Sequence, residues 1–249
     1  LMEDGYGFKD LKAYNYTSGE HTVAFVIGHK VVLDADGKST ILYGIALRGT
    51  QGMREWISNF TLGTGKNHSG FMFAADDAWT YIKRYMATFP DSQTRQTCQE
   101  NYKVWLTGHS RAAAVGNYLS ATYFSNQVRR GDLYGYFFAV PNVAIGAQSA
   151  NASACIRNFN FSGDIVPRLP LVDWGYSRYG ITTRLEAPAM TPWGTWPASR
   201  EDSMNVAASL AVFVPTREAY AAMEAGARQA CRESMEAVSS LKAMTATAI

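Results

Sequence analysis

The residue pattern best suited to chemistry is the run Gly108-His109-Ser110-Arg111-Ala112, which reads G-x-S-x-A. An apolar segment precedes it and an alanine-rich segment follows it, so the serine is predicted on a tight turn between a strand and a helix. Such a turn holds a serine in a strained backbone conformation with its hydroxyl exposed, which suits a nucleophile. The small residues two before and two after the serine let the strand and the helix approach closely. The same pattern also fits a serine that only caps the helix.

A nucleophilic serine needs a base to take its proton, and no histidine follows Ser110 in the sequence. The four histidines stand at positions 21, 29, 68 and 109. His109 lies inside the turn, where its ring is expected to point away from the serine. Three explanations stay open: the final strand and the histidine lie beyond Ile249; the catalytic set has decayed and the fold binds without hydrolysing; or one of the first three histidines is recruited. The non-native start at Leu1 and a helical C-terminal segment with no closing strand favour the first.

Composition narrows the function classes. The 249 residues are 47% hydrophobic and 18% charged, which is typical of a globular chain with a full core. The net charge of 23 − 21 = +2 gives no strong attraction to nucleic acid or anionic membranes, so no nucleic-acid partner is expected. Three widely spaced cysteines without a C-x-x-C pair argue against a disulfide framework or a zinc site, and we expect no metal. The sequence contains neither a signal-peptide pattern nor an apolar run of membrane length, which leaves the compartment and the oligomeric state unassigned.

The segments around the serine alternate between predicted strands and helices. Residues 21–33 and 39–50 are interpreted as two strands of a hairpin around an Asp-Gly turn. Apolar residues at three- and four-residue spacing predict an amphipathic helix over 76–89, which begins at a capping aspartate. Further strands are predicted over 133–140 and 156–162. This order favours an α/β fold with a mostly parallel central sheet.

The amino-acid composition of the chain changes near residue 187. Residues 187–199 are rich in proline and tryptophan and are interpreted as a loop, and residues 216–244 form a strongly helical segment rich in Ala, Glu and Met. We therefore expect two parts: a core over 1–190, and a loop followed by a helical lid, extension or insertion over 191–249.

Several segments together resemble the class 3 lipases, also called the fungal-type lipase family. They are Ala46–Phe60, the H-x-G-F segment Asn67–Trp79, the LTGHSRAAA run around the serine, and Asn160–Pro170 with the following Trp174–Gly180. They cover about Val23 to Gly180 in the family's order. The resemblance implies an α/β-hydrolase fold, which is a three-layer sandwich, and a serine acyl hydrolase of lipid or small carboxylic esters. It implies no cofactor and makes transient contact with a lipid interface an expectation. The alternative is a hydrolase-like binding module that lacks the catalytic histidine.

The resemblance also assigns roles to residues of this sequence. Ser110 is the nucleophile, and the backbone N–H groups of Thr50 and Arg111 form an oxyanion hole, to which the Thr50 hydroxyl can add. Asp164 follows a predicted strand and a Ser-Gly turn, and it is the acid that orients the base. Other interpretations stay open: Thr50 is an ordinary strand end, and Asp164 is a turn residue or a partner of Arg168.

Some nearby residues need a separate interpretation. Asp132 and Asp173 are competing acids, the first before a predicted strand and the second after a proline. Arg178 stands where some relatives have a histidine, but an arginine cannot act as a base at neutral pH. The segment from 51 to 66 is expected to be an amphipathic lid over an acyl pocket or a plain surface helix. Its apolar side chains are those of Met53, Trp56, Ile57, Phe60 and Leu62.

Overall fold

The computed structural model describes residues 2–17, 19–50, 59, 61–147 and 155–186. The strands are β1 (Lys9–Tyr14), β2 (Phe25–Leu33), β3 (Ser39–Leu47), β4 (Tyr102–His109), β5 (Leu133–Phe138), β6 (Ala144–Ile145), β7 (Ile156–Phe161), β8 (Tyr176–Ser177) and β9 (Ile181–Leu185). The α-helices are α1 (Ser69–Thr88), α2 (Ser92–Thr97) and α3 (Arg111–Thr122).

Seven of the strands form one central sheet in the order β1-β2-β3-β4-β5-β7-β9. The pairings β1-β2 and β2-β3 are antiparallel, and the pairings from β3 to β9 are all parallel. Strands β6 and β8 pair with each other in a separate antiparallel sheet. This arrangement confirms the predicted α/β class, the mostly parallel sheet and the β2-β3 hairpin.

The long helix α1 begins earlier than the sequence pattern predicts. We expected it to start at Asp76, but its first residue is Ser69 and its N-cap is His68. The imidazole accepts a hydrogen bond from the Phe71 N–H, so a histidine performs the capping that was assigned to the aspartate. Asp76 and Asp77 lie inside the helix, where Asp77 accepts a hydrogen bond of 2.7 Å from Asn15. The predicted start was therefore wrong by about two turns.

Helices α1 and α3 pack on one face of the sheet and build the main core with it. Alternate residues of β4, such as Val104 and Leu106, point to this face and are fully buried. The first turn of α3 meets them with the small side chains of Ala112 and Ala113, which are also fully buried. Because these residues are small, the helix sits close to the strand that precedes it.

A buried amide network locks α3 to the strands beyond β5. The Asn117 side chain donates to Asn158 Oδ1 at 3.0 Å and to the Tyr179 carbonyl at 2.8 Å. Its own oxygen accepts from the Tyr179 N–H at 3.1 Å, and Asn158 Nδ2 donates to the same Tyr179 carbonyl. The chain between β8 and β9 is thereby fixed against the helix that follows the serine.

On the opposite face, the N-terminal turn covers the sheet over β2, β3 and β4. Phe8 is 1% exposed, and its ring lies 6.3 Å from that of Trp105. Space for it exists because two strand residues lack side chains: a Cβ on Gly44 would lie 2.5 Å from the Phe8 ring, and one on Gly28 would lie 3.3 Å from the Phe8 Cβ. Phe8, Leu11 and Met2 therefore cover the sheet at Gly28 and Gly44.

Candidate active site

Ser110 lies on the sharp turn between β4 and α3, as the sequence predicts. Its backbone has φ 57° and ψ −129°, in the region that favours glycine, and its N–H donates to the Phe138 carbonyl at 3.0 Å. The serine side chain makes no capping hydrogen bond to α3. The alternative interpretation, in which the serine only caps the helix, therefore loses its physical basis.

Gly108 allows the tight turn to form. A Cβ at this position would lie 2.8 Å from the carbonyl oxygen of Ala112 and 2.9 Å from its carbonyl carbon. Both are backbone atoms of the helix and cannot rotate away. Ala112 is itself fully buried, which explains why a small residue follows the serine at this spacing.

The chain that leaves β3 runs directly beside the turn. A Cβ on Gly49 would lie 3.0 Å from the His109 carbonyl oxygen and 3.9 Å from the Ser110 Cβ. Thr50 is the next residue, and its hydroxyl accepts a hydrogen bond of 3.1 Å from Asn59 Nδ2. The segment predicted to carry the oxyanion hole thus adjoins the serine, and its threonine side chain is held by an amide.

His68 fixes the backbone that carries this amide. Its Nε2 lies 3.1 Å from the Asn59 carbonyl oxygen, while its Nδ1 accepts from the Phe71 N–H at 3.4 Å. The partners therefore place the hydrogen on Nε2. The imidazole is 1% exposed, and burial lowers its pKa to about 3. With both ring nitrogens engaged, His68 is a positioning residue and does not act as the base.

Arg111 follows the serine and is almost completely buried, with 2% of its surface exposed. Its Nη1 donates to the Thr22 carbonyl at 2.8 Å, which joins the first turn of α3 to the chain just before β2. The sequence left the role of this side chain open. The structure assigns it to anchoring the turn.

Asp164 lies three residues beyond the end of β7, which is two strands away from β4 in the sheet. Because β4, β5 and β7 are parallel, Ser110 and Asp164 both follow carboxyl ends at the same edge. Asp164 Oδ1 accepts from the Val166 N–H at 2.9 Å, which shapes the turn that carries it. Arg168 donates from Nη2 to the Ser162 carbonyl at 2.8 Å within the same turn.

The competing acids lie elsewhere. Asp132 precedes β5, at the amino end of the strand and opposite to the edge with Ser110, and it forms an ion pair with Lys103. Asp173 lies in an exposed turn over Val172–Trp174. Asp164 is therefore the best placed of the three for a triad.

Arg178 holds the loop that follows Asp164. The guanidinium donates to the Pro167 carbonyl and to Asn142 Oδ1, the latter at 2.6 Å. Asn142 in turn donates from Nδ2 to the Pro170 carbonyl at 2.7 Å. Burial lowers the pKa of Arg178 to about 10, so it remains a cation at neutral pH and cannot be the base.

The other histidines are positioned by their own surroundings. His29 pairs with Tyr43 in the hairpin, and Tyr43 pairs with Val104, which precedes Ser110 by 110 − 104 = 6 residues. That distance is about 20 Å along a strand, so His29 cannot reach the serine. His21 has Nε2 3.8 Å from the Glu20 carboxylate, and its ring packs edge-on against a phenylalanine.

Much of the predicted lid lies outside the described residues. Met53, Trp56, Ile57 and Phe60 belong to that part, as does the whole of 191–249. Leu62 is described and is 2% exposed, which makes it a core residue. Among the described residues there is no group of three or more His, Cys, Asp or Glu that could hold a metal ion. In the same part of the chain, no helix has the length and apolar character needed to cross a membrane.

Comparison with known proteins identifies a family. The family model described as Lipase (class 3) matches residues 44–174, which is just over half of the chain. A secreted mono- and diacylglycerol lipase A of Penicillium cyclopium is 26% identical over an alignment of 195 residues, which covers 71% of this chain and 59% of that protein. A secreted mono- and diacylglycerol lipase 1 of Fusarium solani is 27% identical and is covered over 45% of its length. The chain thus spans about half the length of these relatives.

Solved structures give the same fold. A fungal lipase in complex with an inhibitor has a TM-score of 0.52 at 24% identity, over 70% of this chain and 66% of that one. The lipase from Rhizopus microsporus var. chinensis has a TM-score of 0.50 at 23% identity, over 80% and 74% of the two chains. These likenesses show that the fold is that of the α/β-hydrolases, as the sequence predicts.

Proposed function

Because the chain belongs to the class 3 lipase family, we propose that it forms the core of a serine hydrolase that cleaves acyl esters of glycerol. One observation carries the proposal: Ser110 sits at φ 57° on a strand-to-helix turn, with no capping bond from its hydroxyl. A backbone held in this conformation presents the hydroxyl at the carboxyl edge of the sheet. The names of the two relatives, both secreted mono- and diacylglycerol lipases, support glycerides as substrates and a secreted location.

In the proposed reaction, the Ser110 oxygen attacks the ester carbonyl carbon while a base takes the hydroxyl proton. The backbone N–H groups of Thr50 and Arg111 hold the negative charge that develops on the carbonyl oxygen. The intermediate then collapses, and the alcohol leaves with the proton from the base. Water repeats these steps on the acyl-enzyme and releases the fatty acid. This chemistry needs no metal or cofactor.

Two features support these assignments for the oxyanion hole and the acid. Thr50 is held through its hydroxyl by Asn59, and Arg111 is held through its buried guanidinium by the Thr22 carbonyl. Donors that are fixed before the substrate arrives stabilise the transition state without reorganisation. Asp164 follows the second strand beyond β4 on the same edge, where it can orient a base and stabilise its protonated form.

The nucleophile is tested with a fluorophosphonate probe, which reacts only with an activated serine. We expect the protein from the complete reading frame, which is expected to carry the base, to be labelled. In that protein Ser110→Ala should lose the label, and the matched control Ser125→Ala should keep it. Ser125 is a suitable control because it is exposed and donates only to the Ala121 carbonyl. Persistent labelling of Ser110→Ala would overturn the assignment of the nucleophile.

The base is located by assaying these 249 residues beside the complete reading frame that encodes them, on mono-, di- and triacylglycerol emulsions. Turnover by the shorter chain that is lost on His21→Ala or His109→Ala assigns the base to that residue. Turnover only by the longer chain assigns it to the additional segment. If no glyceride or short ester is hydrolysed by either chain, the hydrolase proposal fails and the binding-module alternative replaces it.

A further inference from the structure

Asn160 lies in the same row of the central sheet as Ser110, two strands away. The strand pairings align His109 with Phe138 and Phe138 with Phe159, so the residues that follow them lie together in the next row. Neighbouring strands are about 4.8 Å apart, which puts the backbones of the two residues roughly 10 Å apart. Asn160 therefore lies at the edge of the sheet that carries the proposed nucleophile.

Strand β5 lies between these two residues and ends in a bend. Phe138 is its last residue, and the Phe138 carbonyl accepts the Ser110 N–H at 3.0 Å. Ala139 follows with φ 51°, a left-handed conformation that strains a residue with a side chain. The Ala139 N–H still donates to the Phe159 carbonyl at 3.0 Å, so the chain leaves the sheet only at Val140. The buried N–H of Val140 therefore needs an acceptor outside the backbone ladder.

The Asn160 side chain supplies this acceptor. Its Oδ1 accepts from the Val140 N–H at 2.7 Å, and both residues are buried, at 5% and 0% exposure. A buried backbone N–H without a partner is costly, so this bond fixes where the bend lies. The Nδ2 of Asn160 has no hydrogen-bond partner among the described residues. In that part of the chain, the side chain therefore makes its polar contact with the bend alone.

We propose that Asn160 is a positioning residue that keeps the nucleophile and the acid at a fixed separation. Through Val140 it holds the end of β5, whose last carbonyl holds the strained Ser110. Along its own strand it precedes Asp164 by 164 − 160 = 4 residues. A base must bond to both the serine and the acid, and a displacement of about 1 Å can cost a hundredfold in rate. This inference rests on the proposed hydrolysis and adds a residue to it.

Asn158 is a matched control, because it lies two residues earlier on the same face of β7. It is fully buried, and its Oδ1 accepts from Asn117 at 3.0 Å. Its Nδ2 donates to the Tyr179 carbonyl at 2.8 Å and lies 3.4 Å from the Thr182 hydroxyl. These bonds join α3 to the chain around β9, and none of them reaches the bend after β5. Asn158 thus has more polar contacts than Asn160, so a loss of stability alone should be at least as large when Asn158 is replaced.

The rate of fluorophosphonate labelling, measured in the protein from the complete reading frame, tests the proposal. Asn160→Leu nearly keeps the shape of the side chain but cannot accept a hydrogen bond. We expect it to lower the second-order rate constant of labelling by about tenfold to a hundredfold, because the serine and the acid lose their fixed separation. Asn158→Leu should lower the Tm at least as much, yet it should be labelled nearly as fast as the unchanged protein.

A conservative variant checks that the side-chain oxygen is the atom that matters. Asn160→Asp keeps an acceptor at the Oδ1 position and loses only the N–H2 group, which has no partner among the described residues. It should recover most of the labelling rate that Asn160→Leu loses, and a rate no faster than that of the leucine variant would overturn the proposal. If Asn160→Leu does not fold, Asn160→Ser takes its place, because the shorter serine hydroxyl cannot reach the Val140 N–H.

Hydrogen exchange separates a failure of this inference from a failure of the proposed function, since it needs no activity. Asn160→Leu should speed the exchange of the Ser110 and Val140 N–H groups, and Asn158→Leu should not. Equal labelling rates for Asn160→Leu and the unchanged protein, or an equal loss of rate in the two leucine variants, would overturn the role of Asn160 and leave the nucleophile assigned. An unchanged protein that takes no label would overturn the proposed function, and this positioning role with it.

Discussion

The Ser110→Gly variant should be more stable than the Ser110→Ala variant. Both variants remove the hydroxyl, so the difference between them reports on the backbone alone. At φ 57° and ψ −129°, a residue with a Cβ carries strain of about 1–3 kcal/mol, which glycine relieves. Glycine also costs about 0.5–1 kcal/mol through the larger freedom of the unfolded chain. We therefore expect Ser110→Gly to be about 1 kcal/mol more stable than Ser110→Ala.

Urea denaturation of the two variants measures this difference. The midpoint should move to higher urea for Ser110→Gly while the slope stays equal, which shows that the denatured states are alike. In a chain of this size, the same difference corresponds to about 2–4 °C in Tm. If Ser110→Gly were instead less stable than Ser110→Ala by the ordinary glycine cost, the serine backbone would not be strained and the nucleophile assignment would lose its main support.

Two further predictions concern neighbouring residues. Gly108→Ala should destabilise the protein by about 1–3 kcal/mol, because its Cβ would lie 2.8 Å from the Ala112 carbonyl oxygen. In the protein from the complete reading frame, the same change should abolish fluorophosphonate labelling. Gly131→Ala is the control, since its Cβ would have nothing within 4 Å, and it should change neither the Tm nor the label. Burial lowers the pKa of His68 to about 3 in the folded protein, against 6.5 in the unfolded chain. The contribution of the neutral imidazole to the free energy of unfolding should therefore be fully present above pH 6.5 and be lost as pH falls toward 3. At pH 5 the loss should be about 2 kcal/mol. Urea denaturation at pH 7.5 and pH 5 should show that His68→Asn loses less unfolding free energy between the two pH values than the unchanged protein does. An equal loss in both proteins would contradict the lowered pKa of His68.

The turn around Ser110 could be predicted from the sequence because its requirements are local. Gly108 and Ala112 stand at fixed spacing from the serine, between an apolar strand and an alanine-rich helix, so the pattern and the geometry are encoded by neighbours. Strand β1 could not be predicted in the same way. It is a polar edge strand with mostly exposed residues, and its sequence lacks the apolar alternation that marks a half-buried strand.

The parts of the site that escaped prediction depend on contacts between distant residues. Arg111 reaches a carbonyl 89 residues away, and His68 was treated as a candidate base before its capping role was visible. The role of Asn59 could not be predicted from the sequence, because an amide beside an apolar segment has no characteristic spacing. Such residues are identified only once the fold shows which backbone groups they face.

The three segments that we propose to be catalytic share one structural feature, which would help to fix a site that lies on loops. Each is tied to a backbone carbonyl by a polar side chain: the serine turn by Arg111, the Thr50 segment by His68 through Asn59, and the loop of Asp164 by Arg178. Loops held only by backbone contacts would let the oxyanion donors drift, and catalysis by preorganised donors loses its advantage when they must reorganise. Because removing one such side chain takes away a hydrogen bond to the backbone, the geometry of the proposed site and the stability of the fold are maintained by the same bonds.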